Sequence, residues 1–325
     1  MTFNETIYNN KAFHVVKERP VTDKHYQDSR TRWEKYTSSL EVADSPPHVD
    51  IELTNLCNLS CVFCQTTSMK RQKGMMSMET FKKVIEQCRK IGVDSAKLSF
   101  WGESTLHKQF VDMLRYAKEH SSLILYLNTN ANRMTPAISR ALVEVGLDRL
   151  TISMDGITKE TYETLRKGGN FEEVMENINV LLETKKERNS ILPYITLQII
   201  KTTKNIHEVP RFIDYWKERV DRISVTNIGI TTREEILSFS TRGENKVVRK
   251  PCEQLWQRLC VFWDGRITIC CGDYEGYFVI GHIDKDSLKD LWHGKELANL
   301  RKRHKMLDFH GLVCEKCTDS YDFAH

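Results

Sequence analysis

Residues 48–64, HVDIELTNLCNLSCVFC, decide how the rest of the chain is read. The first six residues are rich in β-branched and apolar side chains, which predicts a strand over 48–53. Directly after it, Cys57, Cys61 and Cys64 stand in a CxxxCxxC spacing. Three thiolates cannot complete a four-iron cubane, so one iron keeps an open coordination position, and an open position permits catalysis. A zinc site with a distant fourth ligand shares the same spacing.

Outward from this stretch, further β-rich runs occur at AKLSFW (96–101), LILYLNTN (123–130), RLTISM (149–154), YITLQII (194–200) and RISVTNI (222–228). Amphipathic segments lie between them, such as METFKKVIEQCRKIG, KQFVDMLRYAKEH, PAISRALVEVG and FEEVMENINVLLETKKER. Six β-then-α units predict an α/β fold with a parallel sheet and right-handed crossovers. A closed eight-unit barrel or a doubly wound sheet gives the same local pattern, and six units leave a barrel incomplete. In such folds functional residues gather at the C-terminal ends of the strands. Here those ends read Trp101-Gly102-Glu103, Asn128-Thr129-Asn130 and Ser153-Met154-Asp155-Gly156. A structural zinc site needs none of these groups.

The chain has 325 residues, enough for one large domain and a small one. Its net charge of +4 is spread over both signs, without the concentrated basic patch of a nucleic-acid surface. The mean hydropathy is −0.47, and no apolar run approaches the ~20 residues of a membrane span. The start, MTFNETIYNNKAFHVV, lacks a charged region followed by an apolar one, so a cytoplasmic location is expected. Ten cysteines then favour metal or chemistry over disulfides. Residues 1–47 read as a polar extension with a helix near DSRTRWEKYTSSLEVA, ended by Ser45-Pro46-Pro47. Residues 48–230 read as the barrel. The charged, turn-rich stretch 231–250 suits a linker, and 231–325 forms a small Cys-rich α+β domain.

CxxxCxxC after the first strand, with Gly-Glu after the second, resembles the radical S-adenosylmethionine (SAM) superfamily, from about residue 48 to the C-terminus. The resemblance implies a partial (β/α)6 TIM-like barrel in which Cys57, Cys61 and Cys64 hold a [4Fe–4S] cluster whose open iron chelates SAM. It implies that one-electron reduction, from a donor such as flavodoxin or ferredoxin, cleaves SAM to a 5′-deoxyadenosyl radical that abstracts a substrate hydrogen. Phe63 looks like the aromatic that packs on adenine. Gly102 and Glu103 match a Gly-Gly-Glu-Pro segment that receives the SAM ammonium, although Trp101 and Ser104 replace its first and last residues. Asn130 resembles the ribose contact, and Ser153 and Arg166 resemble the groups that hold the SAM carboxylate. An Arg suits that task because its planar fork meets both oxygens.

The tail supplies a second constellation. Asp264-Gly265 between VFW and RITIC reads as a tight hairpin that returns Cys270 toward Cys252, and Cys314-x-x-Cys317 closes the chain. Four thiolates from three segments can saturate one cluster or one zinc. The spacing Cys-x12-Gly-x4-Cys, the segment IGHIDKDSLKDLW and the closing CxxC look like the SPASM/twitch extension of radical SAM enzymes. That likeness implies an auxiliary [4Fe–4S] cluster on Cys252, Cys270, Cys314 and Cys317, in an order nearest to a twitch dehydrogenase of an aminocyclitol alcohol. Cys260 and Cys271 are left over, and Cys88 reads as a packing residue.

Dehydrogenation of a small polar substrate such as a sugar, aminocyclitol or polyol is the leading expectation. An epimerase using Cys260 as hydrogen donor, a peptide maturase and a non-enzymatic zinc or iron–sulfur protein are the alternatives.

Overall fold

In a computed structural model, residues 13–18, 21–228, 238–239, 247–317 and 321–323 are described. The predicted parallel sheet is present. Strands β2 (His48–Ile51), β3 (Ser95–Lys97), β4 (Ile124–Thr129), β5 (Arg149–Ser153), β6 (Tyr194–Lys201) and β7 (Arg222–Asn227) are neighbours in sequence order, each parallel to the next. Helices α2 (Met78–Ile91), α3 (Phe110–His120), α4 (Pro136–Glu144), α5 (Lys159–Leu165), α6 (Phe171–Glu187) and α7 (Val209–Trp216) connect them. The helix starts follow from local chemistry. Ser77, Thr135 and Asn170 each accept a backbone N–H in the first turn, and Pro136 opens α4 where no donor is required.

Alternation along the strands divides the sheet into two faces. Val49, Ile51, Ala96, Leu125, Leu127, Leu150, Ile152, Leu197 and Ile223 point to the helices and join Phe81, Ile85, Leu114, Leu142 and Ile178 in one core. The opposite face, the barrel interior, is polar. Register places Cys260, Asp50, Lys97, Tyr126, Arg149 and Tyr194 in one continuous row. A second row contains Asn128, Thr151, Thr196 and Arg222, and a third contains Ser153, Gln198 and Ser224. Closed TIM barrels fill this space with branched apolar side chains. Here Asn128 is exposed in the middle of its strand, and Lys97, Thr151, Ser153 and Gln198 are half-buried, so the interior is open.

Three features depart from the sequence expectations. The second strand ends at Lys97 and does not run to Trp101. Beyond it Gly102 takes φ +86°, and a Cβ there would lie 2.5 Å from the Thr54 carbonyl oxygen, so the chain must leave the sheet. Second, the N-terminal segment is part of the barrel. Strand β1 (Phe13–Glu18) pairs antiparallel with β7. Helix α1 (Lys24–Ser39) lies across the N-terminal ends of the strands: Tyr26 stacks on Arg149 at 3.6 Å, Trp33 meets His48 edge-on at 5.9 Å, and Arg32 pairs with Asp94.

Third, the C-terminal segment continues the same sheet. Strands β8 (Val247–Arg249) and β12 (Tyr321–Phe323) form a separate antiparallel pair. Strand β9 (Arg258–Val261) runs parallel to β2, and β10 (Arg266–Thr268) and β11 (Val279–His282) follow antiparallel. The Asp264-Gly265 hairpin is present, with Gly265 at φ +87°. Helices α8 (Leu288–Trp292) and α9 (Lys295–Lys305) come after it. Among residues 231–250, expected as a linker, only 238–239 and 247–250 are described.

Candidate active site

The loop after β2 brings Cys57, Cys61 and Cys64 to the C-terminal rim of the sheet. Two backbone bonds fasten it to the end of α5: Ser60 N–H to the Lys167 carbonyl at 2.8 Å and Val62 N–H to that of Leu165 at 3.0 Å. Cys57 is the most open of the three, yet the surrounding loop atoms push its thiol up to about 11. Burial pushes Cys61 up to about 12 against the pull of Arg166. Left to themselves, both thiols stay protonated at neutral pH. A cationic iron centre supplies the charge that stabilises thiolates, and Cys57 and Cys64, unlike the enclosed Cys88, reach the surface of their loop where such a centre can bind. Among the described residues no three His, Cys, Asp or Glu side chains converge on a single ion. A four-iron cluster takes each thiolate at a separate iron and so fits a wider frame.

Arg166 stands beside this loop, buried. One Nη lies 2.6 Å from Asp155 Oδ2 and the other 3.9 Å from Cys61 Sγ. Its guanidinium carbon is 6.0 Å from the Phe63 ring centre, and its Nε is buried with no hydrogen-bond partner. Asp155 is wholly enclosed and accepts the Ile200 N–H at 2.7 Å. Asp155 follows β5 and Arg166 follows α5, so no shared helix or strand face announces the pair.

The Glu103 carboxylate is already occupied. It accepts from Thr105 N–H (3.2 Å), Thr105 hydroxyl (2.8 Å), Thr129 hydroxyl (2.9 Å) and Asn130 N–H (2.7 Å). It therefore ties the ends of β3 and β4 together. The Glu103 N–H donates to the Leu56 carbonyl at 2.7 Å, which carries the tie to the cysteine loop. The Asn130 amide donates to Asn58 Oδ1 at 3.0 Å and reaches Cys57 Sγ at 3.9 Å. Ser153 is half-buried at the end of β5. Phe63, Gly102, Glu103, Asn130, Ser153 and Arg166 thus share one rim with the three cysteines. Trp101, where a glycine was expected, packs edge-on against Tyr274 of the C-terminal segment at 5.9 Å.

Cys270, Cys271, Cys314 and Cys317 come together beyond β10. Cys270 Sγ accepts the Gly272 N–H at 3.2 Å, and burial together with nearby Cys271, Cys317 and Cys314 pushes its thiol well above the usual range. Arg249 donates to the Cys314 carbonyl. Cys252 donates its N–H to His304 Nδ1 at 3.2 Å. Cys260 is wholly enclosed on β9, with its thiol 3.5 Å from Asp50 Oδ2. It sits in the deepest row of the barrel interior, away from the rim. Cys88 is buried on α2 in the core.

The radical SAM superfamily model matches residues 51–198, and that of an iron–sulfur cluster-binding domain, SPASM, matches residues 252–318. A tungsten-containing aldehyde ferredoxin oxidoreductase cofactor-modifying protein of Pyrococcus furiosus is 25% identical over 287 residues, covering 74% of this chain and 79% of the relative. The mycofactocin maturase MftC of Mycobacterium tuberculosis is 27% identical over 169 residues, covering 52% of this chain and 41% of the relative. The fold matches the crystal structure of BtrN in complex with AdoMet and 2-DOIA, with a TM-score of 0.57 at 16% identity over 84% of this chain and 92% of that one. The chain belongs to the radical SAM superfamily and is an enzyme with a C-terminal SPASM domain, whose cofactors are SAM, a [4Fe–4S] cluster and auxiliary iron–sulfur.

Proposed function

We propose that the protein is a radical SAM maturase that modifies a precursor peptide. The observation that carries this reading is the likeness to the maturase MftC over 52% of the chain, beside the likeness to a cofactor-modifying protein over 74% of it. The likeness to BtrN, at 16% identity, supports the fold and adds nothing for dehydrogenation of a small polyol. An epimerase would need the Cys260 thiol against its substrate, and that thiol is enclosed beside Asp50.

Within this reading Cys57, Cys61 and Cys64 hold the catalytic cluster, and Cys252, Cys270, Cys314 and Cys317 hold an auxiliary one. When bound, SAM and the reduced cluster supply a 5′-deoxyadenosyl radical that takes a hydrogen atom from the substrate. The chain's own work is placement. Arg166 and Ser153 bind the SAM carboxylate, Asn130 the ribose, and Phe63 packs on the adenine. The backbone at Gly102 receives the ammonium, while Glu103 fixes the strand ends that shape that turn. A flavodoxin- or ferredoxin-type donor delivers the electron.

The test is anaerobic incubation with SAM, dithionite and peptides encoded beside the gene, scored by 5′-deoxyadenosine and by peptide mass. Consumption of a sugar or aminocyclitol with every peptide unchanged would overturn the reading.

A further inference from the structure

The floor of the barrel interior carries more positive than negative charge. Asp50, with no exposed surface, has Lys97 Nζ at 2.8 Å on one oxygen and Arg258 Nη1 at 3.0 Å on the other. Burial alone would raise this carboxyl, but the two cations hold it well below the usual range, so it stays ionised. His48, 3.5 Å away, is lowered to about 4 by burial and is neutral at physiological pH. One carboxylate therefore serves two cations, with the Cys271 and Cys260 thiols as the further acidic groups within electrostatic reach of Arg258. Arg149 in the same row adds a third cation, held between the rings of Tyr26 (3.6 Å) and Tyr194 (4.2 Å).

The cations are not equally reachable. Arg258 lies under Trp33 of α1 at 5.2 Å, and Tyr26 covers Arg149. Lys97 faces the open interior, with its side chain 20% exposed. The next row up places Asn128 diagonally across from it, at the i, j+2 spacing of about 7 Å that long side chains bridge. Among the described residues the Asn128 and Thr151 side chains make no hydrogen bond, although Asn128 is exposed in mid-strand. Positive charge and exposed polar side chains thus meet on the polar face of the sheet, on the strands whose ends carry the rim residues. A strongly hydrated group would leave water for such a place only for charge-assisted hydrogen bonds.

We propose that the substrate enters with an anionic oxygen group, a carboxylate or a phosphate, which docks on Lys97 beside Asn128 and Thr151. This rests on the maturase reading, and makes the precursor's acidic residue or phosphate the anchor that sets which carbon meets the rim. Lys97 is then a specificity-determining residue.

The experiment uses the reconstituted, SAM-loaded holoenzyme without precursor. Glutarate and inorganic phosphate are the probes, and neutral glutaramide is the control. At tenfold its Kd, a bound anion should raise the apparent Tm by about 2 °C. The rise should vanish in Lys97→Met and return in Lys97→Arg. A rise with glutarate alone identifies a carboxylate, and one with phosphate alone a phosphate. If Lys97→Met fails to fold, Asn128→Ala, which removes only an exposed side chain, should weaken anion binding about threefold. No rise with either anion, or equal rises in wild type and variants, overturns the inference. A precursor that is modified while no anion binds leaves the maturase reading standing, whereas anion binding without any modified peptide removes that reading alone.

Discussion

Asp155 holds Arg166 by an ion pair of 2.6 Å, and the same guanidinium reaches the Cys61 sulfur at 3.9 Å. The carboxylate is itself fixed by the Ile200 N–H at 2.7 Å, so β6 indirectly aims the arginine at the cysteine loop. Burial pushes Asp155 up against the pull of Arg166, so removing either partner would leave the other charge buried and unpaired. Replacing Asp155 by Asn should weaken SAM binding about tenfold by freeing the guanidinium to rotate. Iron content should not change. Equilibrium binding of SAM to the reconstituted variant checks this, and unaltered affinity would confine Asp155 to a structural part.

Cys57→Ala, Cys61→Ala and Cys64→Ala should each abolish 5′-deoxyadenosine formation, because a second open iron destabilises the cubane. Full cleavage by any one of the three would refute the ligand set.

Joint replacement of Cys252, Cys270, Cys314 and Cys317 should lower iron from about eight to about four per chain, on a model of two four-iron clusters. Metal analysis after anaerobic reconstitution decides. Loss of all iron, or of none, contradicts two independent sites.

Gly102→Ala should cost about 2 kcal/mol or more, since it combines a left-handed backbone with a blocked approach to the Thr54 and Leu56 carbonyls. Denaturant unfolding measures the loss. SAM affinity should fall with it, because the same turn carries Glu103 and hence the end of β4.

Stability should decline in mild acid through His48. Its folded pKa is lowered by burial to about 4, against 6.5 for the unfolded residue. The unfolded chain therefore binds this proton first as pH falls. The contribution is complete above about pH 6.5 and is lost toward pH 4, at up to about 1.4 kcal/mol per pH unit. His48→Gln should flatten that part of a stability–pH curve. An unchanged slope would show that other groups carry it.

The parts of the fold legible in the sequence were those with a local signature. Short β-rich runs located the six parallel strands, and CxxxCxxC located the rim on which Phe63, Asn130 and Arg166 also stand. The β3 run misled because LSFW continues a strand-like composition past the turn that Gly102 forces. Helix α1 was visible, but its place was not. It docks through Tyr26 and Trp33 over arginine and histidine, so no apolar stripe announces a partner. The occupation of Glu103 by Thr105, Thr129 and Asn130 joins residues from two strand ends, and only the folded chain brings them together. For the same reason nothing in the tail's spacing foretold that β9 would lie parallel to β2.

That last pairing has a consequence for how the molecule can be cut. Strand β2, which leads into the cysteine loop, is flanked by β3 on one side and by β9 on the other. A shortened gene product ending before residue 252 would leave β2 with an open row of amide and carbonyl groups, a template for pairing with another chain. It would also strip Asp50 of Arg258, and Glu52 of the Trp263 N–H it accepts at 3.2 Å. The tail therefore acts as the selvedge of the sheet, and trimming it would send the remaining fabric into aggregates and not into a smaller working enzyme.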